Sequence, residues 1–312
     1  MDTSIDAPHR KAAVTDPRDF VGYGRTPPHP HWPNDARIAV QIVLNYEEGA
    51  ENSILHGDAA SEAFLSEIVG AQPWPGQRHM NMESLYEYGS RAGFWRIWRL
   101  LRARGVPVTV FAVANALARV PDIAAAMREA EWEIACHGLK WIDYRDFTRA
   151  AEKAHMAEAI RIHEAVTGER PRGWYTGRSS IHTLDLGLEA GFAYLSDSYA
   201  DDLPYWIGTS DRRGLVVPYT LDANDMRCVA AQGFNTAAHF ATYLCDTFDA
   251  LYAEGETAPR MMSVGLHCRL VGRPGRIAAL TRFLDHVAAH DRVWITRRID
   301  IAEHWARHHP PA

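Results

Sequence analysis

Apolar residues fall along this chain in short, nearly unbroken runs: "RIAVQIVLNY" (37–46), "VPVTVFAV" (106–113), "WEIACHG" (132–138), "GWYTG" (173–177), "AYLSDSY" (193–199), "LVVPYT" (215–220), "MMSVGLH" (261–267) and "VWITRR" (293–298). Each is rich in β-branched or aromatic residues, the pattern of strands covered on both faces. Helical periodicity lies between most of them. "SLYEYGSRAGFWRIWRLLRARG" puts Leu85, Tyr88, Phe94, Trp95, Trp98 and Leu101 on roughly one side, with Gly105 as a stop. "DFTRAAEKAHMAEAIRIHEAVTG", ending at Gly168, and "PGRIAALTRFLDHVAAHD" repeat the pattern. Strands alternating with helices predict parallel βαβ units. The fold expected is α/β, a distorted (β/α) barrel in one domain over 37–312, with a doubly wound open sheet as the alternative. Residues 1–36 read as an extended arm, since "GYGRTPPHPHWPND" holds four prolines and two glycines. Residues 49–80 form a strand-to-helix connection long enough to be a lid or an interface element.

Composition narrows the classes. The net charge of −6 over 312 residues argues against nucleic acid or an anionic membrane as the main partner. No run approaches the ~20 apolar residues of a membrane span. The polar start "MDTSIDAPHRKAAVTDPRDF" lacks an apolar signal core, so a cytoplasmic protein is expected. Cys136, Cys228, Cys245 and Cys268 form no CxxC pair and read as reduced thiols.

Chemistry in parallel α/β folds gathers at the C-terminal ends of strands. Here those ends carry Glu47 and Glu48 in "LNYEEGAE", His137 before "GLKWIDY", "GWYTGR", "SDSYADDLPYW", and His267 in "GLHCRLVGRPGR". Each is ordinary alone: a lone histidine is most often structural, and an acid after a strand is most often a turn residue. Their convergence on one rim is what points to a site. Cys136 and Cys268 flank the histidines, but neighbours in a strand face opposite ways, so both cysteines are expected in the core. "HPH" at 29–31 reads as structural. There is no GxSxG, Walker loop or GxGxxG.

At these residues the chain resembles the polysaccharide deacetylase superfamily, the NodB-like distorted barrels, which carry an acidic pair after the first strand, an H-x-x-x-H segment and a late Leu-x-His. The matching segments are Glu47–Glu48, "HGLKW" (137–141) and "GLH" (265–267). Within the superfamily the resemblance is to the cofactor-independent allantoinases. It runs over about residues 17 to 308, through "GYGRTPPHPHWP", "AFLSEIVGAQP", "RHMNMESLYEYGSRAG", "GWYTGR", "DDLPYW", "VPYTLDANDMR" and "SVGLHCRLVGRP". "GRSSIHT" (177–183) departs from that subgroup and puts one pocket wall in doubt.

Two departures from the deacetylase pattern matter. Glutamates replace both aspartates, and Trp141 stands at the second histidine position. An indole has no available lone pair, so Trp141 cannot ligate a metal, and Glu48 with His137 fall short of the three protein ligands a catalytic zinc normally has. No metal and no cofactor are therefore expected. The resemblance implies hydrolysis of the hydantoin ring of allantoin to allantoate. Glu47 is expected as the general base, Glu48 as the acid that orients that base or the water or bonds a ring N–H, and His267 as the general acid. Two close carboxylates resist ionising together, so one should rise towards neutrality. His137 with Trp141 would hold the ring. Arg178, Asp201 and Asp202 would supply donors and acceptors, and Trp174, Tyr175 and Trp206 flat walls. Gly49 would turn the chain away to leave room for the ring. The resemblance also implies a homotetramer. The competing readings are a metal-dependent deacetylase of cell-wall glycan and a non-catalytic sensor of purine metabolites or sugars.

Overall fold

The computed structural model describes residues 17–311 except positions 69 and 210. The first sixteen residues of the predicted arm thus lie outside the described residues. The remainder of the arm runs across the barrel's lower end, where Trp32 Nε1 donates to Arg260 O at 3.0 Å and His304 Nε2 donates to Pro30 O at 2.8 Å.

Among the described residues, nine strands form one sheet: β1 (Ile38–Tyr46), β2 (Val108–Ala112), β3 (Glu133–Cys136), β4 (Gly173–Trp174), β5 (Tyr194–Leu195), β6 (Tyr205–Thr209), β7 (Arg212–Val216), β8 (Arg260–His267) and β9 (Val293–Ile295). Their order is β6-β7-β5-β4-β3-β2-β1-β8, and β9 pairs with the first residues of β1. Every pairing is parallel except β6 with β7. β1, next to last in that order and paired with β2, β8 and β9, is buried at all nine positions, as its unbroken apolar run requires. β6 was not expected from sequence. It is a partly exposed edge strand that pairs antiparallel with β7 and lacks the apolar run that marked the others.

The sheet curls upon itself into a distorted barrel and does not lie open between two helix layers. Its outer face packs on the helices through Ile42, Leu44, Val108, Val110 and Leu266. Its inner face closes around Val43, Phe111, Tyr175, Tyr219 and Val217. The gap between β8 and β7 is spanned by the 218–224 segment, which bridges Asn224 to Gly265. Arg298, fully buried, ties the interior: its guanidinium reaches Gln41 at 2.7 Å, Ser263 at 2.9 Å and Ser196 at 3.0 Å, as well as Val217 O.

Helix Arg149–Thr167 ends at the predicted Gly168, at φ 84°, and starts at Thr148, whose side chain accepts from Ala151 N at 3.3 Å. The predicted helix at 84–105 differs in phase. It runs Met80–Tyr88, one π-turn Gly89–Gly93, then Phe94–Ala103. The wide turn rotates the later residues, so Met82, Tyr86, Phe94, Ile97 and Leu101 are the buried set, while Tyr88, Trp95 and Trp98 are only half-buried. Both glycines of the turn are forced by contact. A Cβ on Gly89 would meet Glu48 Oε1 at 2.3 Å, and one on Gly93 would meet Cys268 O at 2.0 Å.

Candidate active site

β1 delivers Asn45 and Glu47 to the C-terminal rim, β3 delivers His137, and β8 delivers His267. Glu47 Oε1 lies 3.4 Å from both His137 Nε2 and His267 Nε2. Its other oxygen forms an ion pair with Arg269 Nη1 at 2.7 Å. His267 Nδ1 bonds Asp225 Oδ1 at 2.7 Å, and Asp225 Oδ2 accepts from His267 N and Val271 N at 2.8 and 2.9 Å. His137 Nδ1 donates to Tyr175 O at 3.1 Å, which leaves its Nε2 turned towards Glu47. Asn45 donates to Tyr219 Oη at 2.9 Å. These groups floor a cavity of about 480 Å³ walled by Phe64, Trp141, Tyr175, Arg178, Tyr199 and Tyr219.

The two glutamates have opposite environments. Burial would raise the Glu47 carboxyl, but Arg269 and His267 outweigh it and hold Glu47 well below the usual carboxylate range. Burial raises Glu48, Arg269 offsets part of that, and the Glu47 charge adds to it. Glu48 accepts from Glu47 N at 3.0 Å and Arg269 N at 3.2 Å, faces Gly89, and takes no part in the cavity wall. The expected split of the acidic pair is therefore present, but the acid that rises is the one turned away from the cavity. Glu48 braces the loop that carries Arg269; it is not positioned to touch a substrate or its water. Burial would lower His267, but Glu47 and Asp225 raise it to about 9, so both ring nitrogens carry protons at neutral pH.

Other expected residues separate in the same way. Trp141 and Arg178 are in the wall, with the Arg178 guanidinium 4.0 Å from the Trp141 ring centroid and 4.7 Å from that of Phe64. Its Nη2 has no hydrogen-bond partner. Tyr175 is in the wall, yet Trp174, one residue earlier on β4, is not. Alternation turns Trp174 outward against Phe192, at 5.2 Å between ring centroids. Cys136 and Cys268 pack into the outer clusters by the same alternation. Asp201 and Asp202 do not reach the site. Asp201 Oδ1 caps Leu203 N at 3.0 Å, Asp202 O accepts from Met261 N, and both line a separate cavity of about 250 Å³ beyond Tyr199 and Tyr219. Trp206 lies on β6 with Nε1 donating to His309 O at 2.7 Å and is not part of the wall. Gly49 does adopt φ 88°, but the space it frees is filled by Arg119 Cδ, which a Cβ would meet at 2.8 Å, and not by the cavity. The 49–80 connection supplies Phe64 and Leu65 to the wall, held by Glu62, which accepts from Ala63 N and Phe64 N at 2.9 and 2.8 Å.

Sequence reading missed Arg269, Asp225, Asn45 and Tyr219. Arg269 was open to detection, standing two residues after His267. Asp225 sits in the turn-like "LDANDMR", at no strand end, and only the fold brings it under His267.

A curled parallel barrel with an acid and two histidines on its C-terminal rim defines the NodB-like class of hydrolases. The polysaccharide deacetylase family model matches residues 81–192. A Schizosaccharomyces pombe protein assigned to the polysaccharide deacetylases is 42% identical over 94% of this chain and 98% of its own. The chain belongs to the polysaccharide deacetylase family. Among solved structures, it resembles a Pseudomonas aeruginosa PAO1 protein assigned to the same family (59% identity, TM-score 0.94, covering 95% of this chain and 100% of that one). It also resembles the PuuE allantoinase (58% identity, TM-score 0.94, covering 96% and 100%). A Mycobacterium smegmatis relative is more distant, at 26% identity and TM-score 0.74, covering 89% and 94%.

Deacetylases of the superfamily hold a metal on an aspartate and two histidines. The residues of this site do not fit one. Trp141 offers no lone pair, Glu48 is committed to backbone amides, and a guanidinium already sits on Glu47. Among the described residues, no three donor atoms of this site come within 4.8 Å of one another.

Proposed function

We propose that this protein hydrolyses a cyclic amide, opening the hydantoin ring of allantoin to allantoate by acid/base activation of water without a metal, within purine (ureide) breakdown. The observation that carries the reading is the placement of Glu47 between two imidazoles and Arg269 at the floor of an aromatic cavity. The choice of allantoin is supported by likeness to the PuuE allantoinase along nearly the whole chain.

Glu47, ionised at neutral pH, accepts a proton from the attacking water as oxygen bonds to the ring carbonyl. Its low basicity limits it as a base, but Arg269 and the two imidazoles also face the negative charge that develops on the carbonyl oxygen. His267 gives its Nε2 proton to the leaving ring nitrogen as the C–N bond breaks, and Asp225 steadies the imidazolium beforehand. The products are a carboxylate and a ureido nitrogen. Tyr175 and Trp141 flank the planar ring, and Arg178 Nη2, which makes no hydrogen bond and pairs loosely with Glu62 at 3.9 Å, meets a carbonyl of ring or tail. As in the reading from sequence, a cytoplasmic homotetramer completes the proposal. Among the described residues, no helix is long and apolar enough to cross a membrane.

The test is a substrate panel on purified protein: allantoin, simple hydantoins, and N-acetylglucosamine oligomers. Allantoate formation with no release of acetate supports the reading. Acetate release from the oligomers with allantoin left intact would make the protein a deacetylase.

A further inference from the structure

A second group of ligand-type side chains lies at the other end of the barrel. Asp249 is on helix Ala237–Glu254, His286 is on helix Pro274–Ala288, and His290 follows two residues past that helix. One ligand atom from each lies within 4.8 Å of the other two, the one such trio among the described residues. His286 Nε2 meets Asp249 Oδ1 at 2.6 Å. His290 Nδ1 donates to the backbone oxygen of His286 at 2.9 Å, which fixes its tautomer and leaves a lone pair on Nε2. A carbonyl on the distal nitrogen is the support that metal-ligating histidines usually have. Phe248 and Tyr252 pack against these rings, at 5.0 and 5.1 Å from His290, and restrict their motion.

We infer that Asp249, His286 and His290 form a binding site for a divalent transition metal, which pins the two helices flanking β8. Two imidazoles and one carboxylate suit zinc, nickel or copper(II) over magnesium or calcium, and three protein ligands leave one position to water. The metal takes the place of the proton that His286 shares with Asp249. This site lies apart from the catalytic rim. Tyr252 stacks under Arg37, immediately before β1, whereas Glu47 follows the last residue of β1, about 30 Å away along that nine-residue strand. The inference does not depend on the reaction proposed above.

Calorimetric titration of the full chain with zinc chloride or nickel chloride tests it, alongside the variant His286→Asn/His290→Asn and, separately, Asp249→Asn. The expected result is one metal bound per chain, a rise in Tm on metal addition, loss of both in the double variant, at least a tenfold weakening in Asp249→Asn, and unchanged hydrolysis in all. Metal binding that survives the double variant overturns the assignment, as does no binding by the unaltered protein. Binding lost instead with His137→Asn would move the metal to the catalytic rim, which overturns this inference and the metal-free reaction together. Failure to turn over allantoin, with binding at His286 and His290 intact, would overturn only the reaction.

Discussion

Each end of this barrel holds a carboxylate between two imidazoles, yet the two ends are suited to different chemistry. At the rim, Glu47 is fully buried, and one of its oxygens is taken by Arg269 at 2.7 Å. At the opposite end Asp249 is half exposed, with no guanidinium on it among its described contacts. The arginine decides the difference. A buried cation on Glu47 holds it ionised, and Glu47 with Asp225 holds the proton on His267, so the rim sets a proton donor beside a proton acceptor. Without that cation, and with His290 held in a single tautomer, the lower end presents lone pairs to a metal. In the two proposals above, one carboxylate and two imidazoles thus serve as an acid–base set at the rim and as a metal site at the lower end, according to what fills the fourth side.

The largest expected effect that would break this contrast is at Glu47. Glu47→Gln keeps the shape but removes the proton acceptor, and kcat should fall by about 10² to 10⁴ with ligand binding retained. Turnover within a few-fold of the unaltered protein would remove Glu47 from the chemistry. Next is Arg269→Met, which leaves Glu47 buried without its cation. Urea unfolding should show a loss of about 3 to 5 kcal/mol, and the acid limb of the rate profile should move up in pH.

The pH profile sharpens the account. His267 is raised from its ordinary range to about 9, so its acid form persists below that pH and the rate should fall as pH rises through about 9. Its contribution to stability has the same sign: fully present below its unfolded value near 6.5, and lost as pH rises through about 9. Asp225→Asn removes one of the two anions that raise His267, so the alkaline limb should shift to lower pH. An unmoved limb would mean that another group titrates there. The smallest effect is expected at the lower end, where His286→Asn/His290→Asn should leave kcat and KM unchanged.

Strand ends and alternation carried most of what could be read beforehand. The apolar runs located the strands, and the polar residues closing them placed Glu47, His137 and His267 on one rim. Period-two alternation correctly turned Cys136 and Cys268 outward, and the same rule applied to Trp174 would have removed it from the expected wall. Asp201 and Asp202 were over-read. Acids in "ADDLPYW" cap their own turn, which is a local property. Asp225 and Tyr219 were illegible because their partners, His267 and Asn45, lie 42 and 174 residues away, and only closure of the barrel brings them together. The π-turn at Gly89–Gly93 was equally hidden, since its cause is the approach of Glu48 and Cys268 from elsewhere in the chain.

The most direct test of the central claim is allantoin turnover by the His286→Asn/His290→Asn protein, stripped with a strong chelator and checked for residual metal. In that background no metal can bind at the lower end and confuse the measurement. The account predicts allantoate formation at the rate of untreated protein, with no gain on adding zinc. Turnover that vanishes with the chelator and returns with zinc would contradict it.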